Sequence, residues 1–228
     1  MTAVSPVTLR FVNGATGEPL PLHPRRLILA GYTGRDRASV QKHIDELAEQ
    51  GVAPPEQVPA LYTGEPGSIQ IDGSLPAAAG WASGEVEFVL FVGEAGVFVG
   101  VGSDHTDRDL ERTSVVASKR AFHKVVSRIL WPVETLQAEW DELCLRSWVT
   151  HDSEEYLYQE GALATMMTPT DLLNLLPAED RAAGLVLFSG TVPATAPAPA
   201  SGPCHFDGVL LAADGRVLAA CGYDYVAR

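Results

Sequence analysis

The strongest hydrophobic pattern in the chain is a pair of apolar runs at residues 86–92 and 97–101, separated by the turn-forming segment 93–96. Successive side chains of a strand point to opposite faces, so the two runs predict antiparallel strands joined by a tight turn. Glu85 and Glu87 are two residues apart at the start of the first run, and a strand therefore places both carboxylates on one face.

A third acid belongs to the same predicted hairpin. The returning strand leads directly into Asp104, which the hairpin brings back towards Glu85 and Glu87. Carboxylates on an otherwise apolar surface are costly without a counter-ion, and a set of oxygen ligands favours Mg²⁺, Mn²⁺ or Ca²⁺ over zinc. Glu-x-Glu is also typical of the wet face of an ordinary strand, so the spacing alone leaves both interpretations open.

The pattern elsewhere predicts one domain with a small extension. Residues 1–26 contain alternating and turn-forming segments that predict an N-terminal hairpin, and residues 27–228 form the expected core of the domain. An amphipathic helix is predicted over 38–50. We expect Thr106 to cap a helical turn that begins at Asp107.

Composition and charge narrow the class of protein. The chain has 228 residues, of which 46% are hydrophobic and 20% charged, as expected of one soluble globular domain with no membrane span. No secretion signal is recognisable, which predicts a cytoplasmic protein. The net charge of -13 opposes binding to nucleic acid or to anionic membranes. Small anionic substrates are nevertheless compatible with this negative net charge, because charges far from a binding site are screened over about 10 Å.

Candidate acid–base chemistry appears in the predicted helix. His43 and Glu46 are three residues apart and therefore lie on the same side of the helix, where the carboxylate could orient the imidazole. Such a pair can activate water. A surface histidine on a polar helix face is the alternative interpretation.

Two segments resemble the fumarylacetoacetate hydrolase family. They are Gly84–Glu87, reading GEVE, and Ser103–Glu111, reading SDHTDRDLE. The family pattern is E-x-E before a hydrophobic run, followed later by N-D-V-T/S-A-R-D-L-Q. The chain departs from it at Ser103, His105 and Asp107 and in its short interval between the motifs. It resembles a bacterial branch of the family whose members mostly have undefined functions.

The resemblance implies roles for individual residues. Glu85, Glu87 and Asp104 would bind a divalent metal, with Mg²⁺ as the expected ion and Mn²⁺ or Ca²⁺ as alternatives. His43, Glu46 and Lys119 would be catalytic. The expected substrate-binding residues are Tyr32, Arg35, Tyr62, Arg108, Gln159, Gly190 and Thr191.

Several of these assignments have a plain alternative. Direct alignment of Gly31-Tyr32-Thr33 with the family's G-x-N-Y-x-x-H loop puts Arg37 where the histidine should be. Lys119 also fits a basic surface run with Arg120 and Lys124, and Gln159 also fits an ordinary amide at a strand end. Arg108 could instead pair with a metal-ligand carboxylate, with Asp109 or with Glu111.

The fold implied by the resemblance is α+β, with a mixed β-sheet rolled around a central pocket and a few short helices, often as a homodimer. The implied function is a metal-dependent hydrolase that cleaves a C–C bond of a 2-oxo or 1,3-dicarbonyl carboxylate through an enolate, with the His/Glu pair activating water. A decarboxylase, tautomerase or hydratase would use the same site. A non-catalytic small-molecule-binding protein and a purely structural acidic protein are further alternatives.

Overall fold

The computed structural model describes residues 8–49, 51–76 and 81–227. The strands are β1 (Leu9–Asn13), β2 (Pro19–Leu22), β3 (Arg26–Gly31), β4 (Ala60–Gly64), β5 (Ile69–Ile71), β6 (Ala82–Ser83), β7 (Val86–Gly93), β8 (Gly96–Ser103), β9 (Thr106–Asp107), β10 (Lys124–Val126), β11 (Ile129–Pro132), β12 (Cys144–His151), β13 (Glu154–Ala162), β14 (Leu185–Phe188), β15 (Gly202–Leu211) and β16 (Val217–Ala227). The α-helices are α1 (Arg37–Glu49), α2 (Arg108–Glu111), α3 (Val115–Arg120), α4 (Val133–Leu136) and α5 (Pro169–Asn174). Within the described ranges, no helix has both the length and the apolar character needed to cross a bilayer.

Most strands belong to one large mixed sheet. Its main order is β2-β1-β11-β8-β7-β14-β3-β4, and β10 joins it beside β8 and carries β5. A second sheet of four antiparallel strands has the order β13-β12-β15-β16. The large sheet curls into a half-barrel, and the few helices are short, which confirms the predicted α+β class.

The centre of the large sheet is buried on both faces. Phe88 and Leu90 of β7 belong to the apolar core that includes Phe206 of the four-stranded sheet. Val89 and Phe91 of β7 belong to a separate apolar cluster on the other side. Val89 and Phe91 lie on the same face of β7 as Glu87, so the acid stands beside an apolar cluster, as expected from its place in an apolar run.

The other local predictions agree with the structure, apart from the cap of α2. β1 and β2 form an antiparallel hairpin, although residues 1–7 of the predicted extension lie outside the described residues. Helix α1 runs from Arg37 to Glu49, close to the predicted bounds, and residue 50 is likewise outside the description. Thr106 is not the cap of α2, because the Asp107 carboxylate accepts hydrogen bonds from the free amides instead.

Candidate active site

The β7–β8 hairpin brings the three predicted acids together. Val86 pairs with Ser103 in the strand register, and the next residues outward, Glu85 and Asp104, are joined by a backbone hydrogen bond of 3.0 Å. Glu87 follows one residue inside β7. Ligand oxygens of Glu85, Glu87 and Asp104 all lie within 4.8 Å of one another, as the predicted hairpin geometry required.

These carboxylates are removed from water. Asp104 is completely buried, Glu87 is buried, and the Glu85 side chain is 13% exposed. One oxygen of Glu87, Oε2, accepts a hydrogen bond of 2.8 Å from the amide of Gly190. The other, Oε1, is buried and has no hydrogen-bond partner among the described residues. A buried carboxylate oxygen without a donor is costly, and it therefore marks a position where a ligand belongs.

Three basic side chains surround the acids. The ammonium of Lys119 contacts Asp104 Oδ2 and lies 3.5 Å from Glu85 Oε2. Lys124 Nζ lies 2.6 Å from Asp104 Oδ1. Arg108 donates to Glu85 Oε1 across 3.0 Å. We call the three carboxylates together with Lys119 and Lys124 the floor of the site.

The pKa directions separate Glu87 from its neighbours. Burial opposes ionisation of Asp104, but Lys119 and Lys124 outweigh it and lower the pKa of Asp104 to about 2. Burial is likewise outweighed at Glu85, where Arg108 and Lys119 lower the pKa. At Glu87 burial dominates, and the charges of Asp104 and Glu85 add to it, so its pKa is raised well above the ordinary value. Glu87 is the carboxylate that the described protein compensates least.

The floor fits a hard divalent cation. Two oxygens on opposite sides of an ion lie about 4.2 Å apart for Mg²⁺ and about 4.6–5.2 Å apart for Ca²⁺, and the three ligand oxygens all lie within 4.8 Å of one another, close enough to share one ion. The donor set is all carboxylate, and Glu87 Oε1 lacks a protein donor. The carboxylate oxygens of Glu85, Glu87 and Asp104 are the kind of ligand that a hard divalent cation prefers.

A cavity of about 750 Å³ opens over the floor. Its walls come from the loop after β3, helix α1, the start of α3, the 3₁₀ turn at 163–165 and the segment 190–193. Glu85, Glu87 and Lys119 line it directly. Its volume falls in the range of small-molecule pockets, roughly 300–1,000 Å³.

Several predicted substrate-binding residues line this cavity. Tyr32, Tyr62, Gly190 and Thr191 all do so. Tyr32 has a φ of 59°, a left-handed backbone conformation that costs a residue with a side chain of order 1–3 kcal/mol. Burial, followed by the nearby charges, raises the pKa of Tyr32 to about 12, so its hydroxyl stays protonated and can donate.

The backbone at Gly190 explains the glycine in the predicted turn. Its φ is 83°, and a Cβ there would lie 2.6 Å from Thr33 Oγ1. Only glycine lets the chain come this close while its amide donates to Glu87. The Thr191 hydroxyl donates to the Val86 carbonyl across 2.8 Å.

His43 and Glu46 lie on α1 at the rim of the cavity. His43 lines the cavity, but its side chain is 61% exposed. The distance from His43 Nδ1 to Glu46 Oε2 is 3.9 Å, too long for a hydrogen bond. The His43 ring also faces Tyr32, with centroids 6.3 Å apart. We call His43, Glu46 and the neighbouring Lys42 the rim.

Two predicted substrate-binding side chains are occupied within the protein. Arg35 lines the cavity, yet its guanidinium pairs with Asp141, with Nη1 3.0 Å from Oδ2, and donates to the carbonyl of Met166. Arg108 holds Glu85, the Ser83 hydroxyl at 2.8 Å and Glu111 at 3.0 Å. Through these contacts Arg35 stabilises the wall of the cavity and Arg108 stabilises the floor.

Gln159 is also used within the protein. Its carbonyl oxygen accepts from the Val86 amide at 2.9 Å and from the Ser147 hydroxyl at 3.2 Å. Its amide nitrogen donates to Thr191 Oγ1 and to the Val192 carbonyl, each at 2.8 Å. These four hydrogen bonds use both donors and both acceptor positions of the amide. Gln159 therefore connects β7 to the 190–193 segment.

Sequence reasoning missed two residues of the site. Lys124 was considered only as part of a basic surface run, but its side chain is 1% exposed and contacts Asp104. Its place in an apolar run, Phe122-His-Lys124-Val-Val, was the available signal. Glu111 lines the cavity and differs from the glutamine of the family pattern, which was the signal for that position.

Comparison with known proteins adds the family. A family profile described as "Protein of unknown function (DUF2848)" matches residues 30–204. The chain belongs to the DUF2848 family. None of the curated proteins matches it. The DUF2848 segment contains the floor, the rim and every wall of the cavity.

Solved structures identify the fold of this DUF2848 member. Cg1458, solved with an inhibitor, is 16% identical, with a TM-score of 0.69 over 97% of this chain and 90% of that one. Yeast ynq8, a fumarylacetoacetate hydrolase family protein, is 16% identical, with a TM-score of 0.63 over 90% and 94%. The 5-carboxymethyl-2-hydroxymuconate delta-isomerase of Mycobacterium smegmatis is 15% identical, with a TM-score of 0.63 over 93% and 86%. The predicted fumarylacetoacetate hydrolase fold is confirmed.

Proposed function

We propose that this protein is a divalent-metal-dependent enzyme that acts on a 2-oxo or 1,3-dicarbonyl carboxylate. The preferred reaction is hydrolysis of a C–C bond, with Mg²⁺ as the expected ion. The similar structures include a fumarylacetoacetate hydrolase family protein and a 5-carboxymethyl-2-hydroxymuconate delta-isomerase, which supports this reaction class. The homodimer and the cytoplasmic location stay predictions.

The observation that carries the proposal is Oε1 of Glu87, a buried oxygen with no hydrogen-bond partner among the described residues. It lies among three converging carboxylates that line or adjoin a 750 Å³ cavity. A solvated acidic face would need no such burial, because exposed carboxylates are stabilised by water. Glu85, Glu87 and Asp104 would hold the ion, which when bound stabilises the negative charge that develops on a substrate carbonyl oxygen.

The protein's own groups would bind and orient the reactant. Lys119 lies against Asp104 and Glu85; burial opposes its charge, but the three acids outweigh burial and raise the Lys119 pKa, so its ammonium stays charged. It can therefore donate to an anionic substrate oxygen. The protonated hydroxyls of Tyr32 and Tyr62 face the same cavity and can donate to the remaining oxygens.

His43 is the proposed base. It lines the cavity on α1, and its imidazole could take a proton from the water that attacks the carbonyl carbon and give that proton to the carbon that leaves when the C–C bond breaks. Glu46 does not orient it by a direct hydrogen bond at 3.9 Å. A shift of the His43 side chain towards the cavity on substrate binding would bring the base to the reactant.

The long His43–Glu46 distance favours a second candidate. A decarboxylase or tautomerase passes through the same charged oxygen but needs no activated water, so it would not require this pair. The two candidates share the floor and differ only in the use of the rim.

The decisive experiment is a crystal structure with Mn²⁺ and oxalate, using the anomalous signal of manganese to locate the ion. We expect oxygens of Glu85, Glu87 and Asp104 at roughly 2.0–2.6 Å from it, with oxalate on the cavity side. An ion bound elsewhere, or carboxylates that point apart, would overturn the proposal. Product analysis with an acylpyruvate and with oxaloacetate then separates hydrolysis from decarboxylation and tautomerisation.

A further inference from the structure

We propose that the cavity selects reactants whose far end is uncharged and apolar, so that the substrate carries one carboxylate group, at its reacting head. This inference rests on the proposed function for the head, which the floor would bind. It adds what the rest of the cavity recognises. Both the arrangement of charges in the cavity and its apolar walls support a preference for an uncharged, apolar tail.

The basic side chains that line the cavity are already committed. Among the described residues these are Arg35, His43 and Lys119. Arg35 pairs with Asp141 through two nitrogens and donates its third to the Met166 carbonyl. Lys119 belongs to the floor and serves the head. His43 is at the rim, where its side chain is mostly in water. No described cation is left to receive a second carboxylate inside the cavity.

Glu111 makes the interior unfavourable for a second anion. It lines the cavity beside Val115, and its only described counter-ion is Arg108 at 3.0 Å. The same guanidinium is also 3.0 Å from Glu85, so one positive charge serves two carboxylates. Asp36 and Glu160 line the wall as well. Asp36 and Glu160 are exposed, so water screens them, but a distal carboxylate would approach Glu111, whose side chain is 15% exposed, in a partly desolvated space where repulsion is stronger than in water.

The rest of the wall is apolar. It includes Val40, Leu47, Val115, Ala164, Met166 and Pro193. Such a surface gains from burying hydrocarbon, about 0.8 kcal/mol for each methylene. A volume of about 750 Å³ exceeds what a three- or four-carbon oxo acid fills, which leaves room for an apolar tail.

The residues outside the described ranges contain a single basic side chain. Segment 77–80, the one that precedes β6, reads Ala-Ala-Ala-Gly and has no ionisable side chain. Residues 1–7 and 50 also contain no lysine, arginine or histidine. Arg228 is the single basic side chain among them, at the carboxyl terminus.

The test compares ligands that share one head and differ only in the tail. N-Isobutyloxamate, N-(carbamoylmethyl)oxamate and N-oxalylglycine all carry an oxamate head, and end in two methyl groups, an amide or a carboxylate. Calorimetry with the Mn²⁺-loaded protein gives their Kd values. We expect N-isobutyloxamate to bind at least about tenfold more tightly than N-oxalylglycine, with the amide between them.

The outcomes separate the two proposals. Equal or tighter binding of N-oxalylglycine overturns the tail inference while leaving the metal-bound head intact. Binding of oxalate without binding of any substituted oxamate also overturns it, because the cavity would then not accept a tail. Failure of oxalate itself to bind overturns the proposed function and the tail inference together.

A variant tests the role assigned to Glu111. Glu111→Gln keeps an acceptor for Arg108 but removes the charge, so N-oxalylglycine should gain roughly fivefold or more in affinity relative to N-isobutyloxamate. Glu94→Gln makes the same charge change in the β7–β8 turn, outside the cavity lining, and should leave that ratio within about twofold. An unchanged ratio in Glu111→Gln, with the thermal unfolding of both variants intact, rules out Glu111 as the discriminating group.

Discussion

The floor and the rim contain lysine–glutamate pairs of almost the same length in very different surroundings. Lys119 Nζ lies 3.5 Å from Glu85 Oε2, and the side chains are 9% and 13% exposed. Lys42 Nζ lies 3.4 Å from Glu46 Oε1, with side chains 79% and 52% exposed. The two pairs therefore differ in solvent exposure and not in the distance between the charged groups.

The difference shows where this fold can do electrostatic chemistry. Two charges at this separation interact weakly in water and several times more strongly in a protein interior. The floor accordingly shifts the pKa values of Glu85, Glu87 and Asp104 in opposite directions within a few ångströms. The rim is solvated, so His43 can contribute a proton acceptor but little electrostatic stabilisation.

The largest effect should come from truncation of the unpaired floor acid. Glu87→Ala removes a ligand from the trio, and we expect turnover to fall at least about a thousandfold, because metal stabilisation of charge is worth several kcal/mol. The Mn²⁺-induced rise in melting temperature should disappear with it. Scanning fluorimetry and an acylpyruvate assay measure the two effects. Glu94→Ala, in the turn of the same hairpin, is the matched control, and normal turnover in Glu87→Ala would remove β7 from the chemistry.

Breaking a buried pair should cost far more than breaking an exposed one. Lys124→Met leaves Asp104 without one of its two ammonium partners. We expect a loss of about 3–5 kcal/mol in the free energy of unfolding, measured with urea. Lys42→Met on the rim should change it by less than about 0.5 kcal/mol. Similar losses in the two variants would contradict the contrast drawn between floor and rim.

His43→Gln separates chemistry at the rim from binding at the floor. If His43 is the base, kcat should fall about a hundredfold, while the Mn²⁺-induced stabilisation stays as in the wild type. Glu46→Gln should have a much smaller effect, since no hydrogen bond joins it to His43. Undiminished C–C hydrolysis in His43→Gln would assign the proton transfer to another group, and retained decarboxylation with lost hydrolysis would support the second candidate.

The smallest effect concerns the pH dependence of stability in the presence of a chelator. The folded pKa of Glu87 is raised, so its stabilising contribution is present below the unfolded value, about 4.3, and is lost as pH rises through the folded pKa. Glu87→Gln does not titrate. Its stability relative to the wild type should increase as the pH rises above about 4.3, because the wild type must then bury a charged carboxylate and the amide does not. Parallel urea midpoints for the two proteins over this range would show that Glu87 is compensated after all.

The sequence was most informative where the chemistry is local. The hairpin pattern around residues 86–101 was enough to predict that Glu85, Glu87 and Asp104 meet, because strand register and a short turn leave little freedom. The cap of α2 was misassigned to Thr106 because the helical turn was expected to begin at Asp107, whereas Asp107 is itself the capping residue and the helix begins at Arg108.

Long-range partners are what the sequence did not reveal. Gln159 and Arg35 have residue types that suit a substrate, and only the folded chain shows that their donors and acceptors are spent on Thr191, Val192, Asp141 and Met166. Lys124 was read as a surface charge because its acidic partner is distant from it in the chain.

By itself, then, the sequence determined the acidic hairpin, since alternation and short turns are properties of neighbouring residues, and it showed the family resemblance that implied the α+β class. The tertiary structure decided which of those charges leave water, which polar groups remain free for a ligand, and what surrounds the cavity. Burial and hydrogen-bond saturation depend on residues brought together from distant parts of the chain, and the sequence pattern carries no direct record of them.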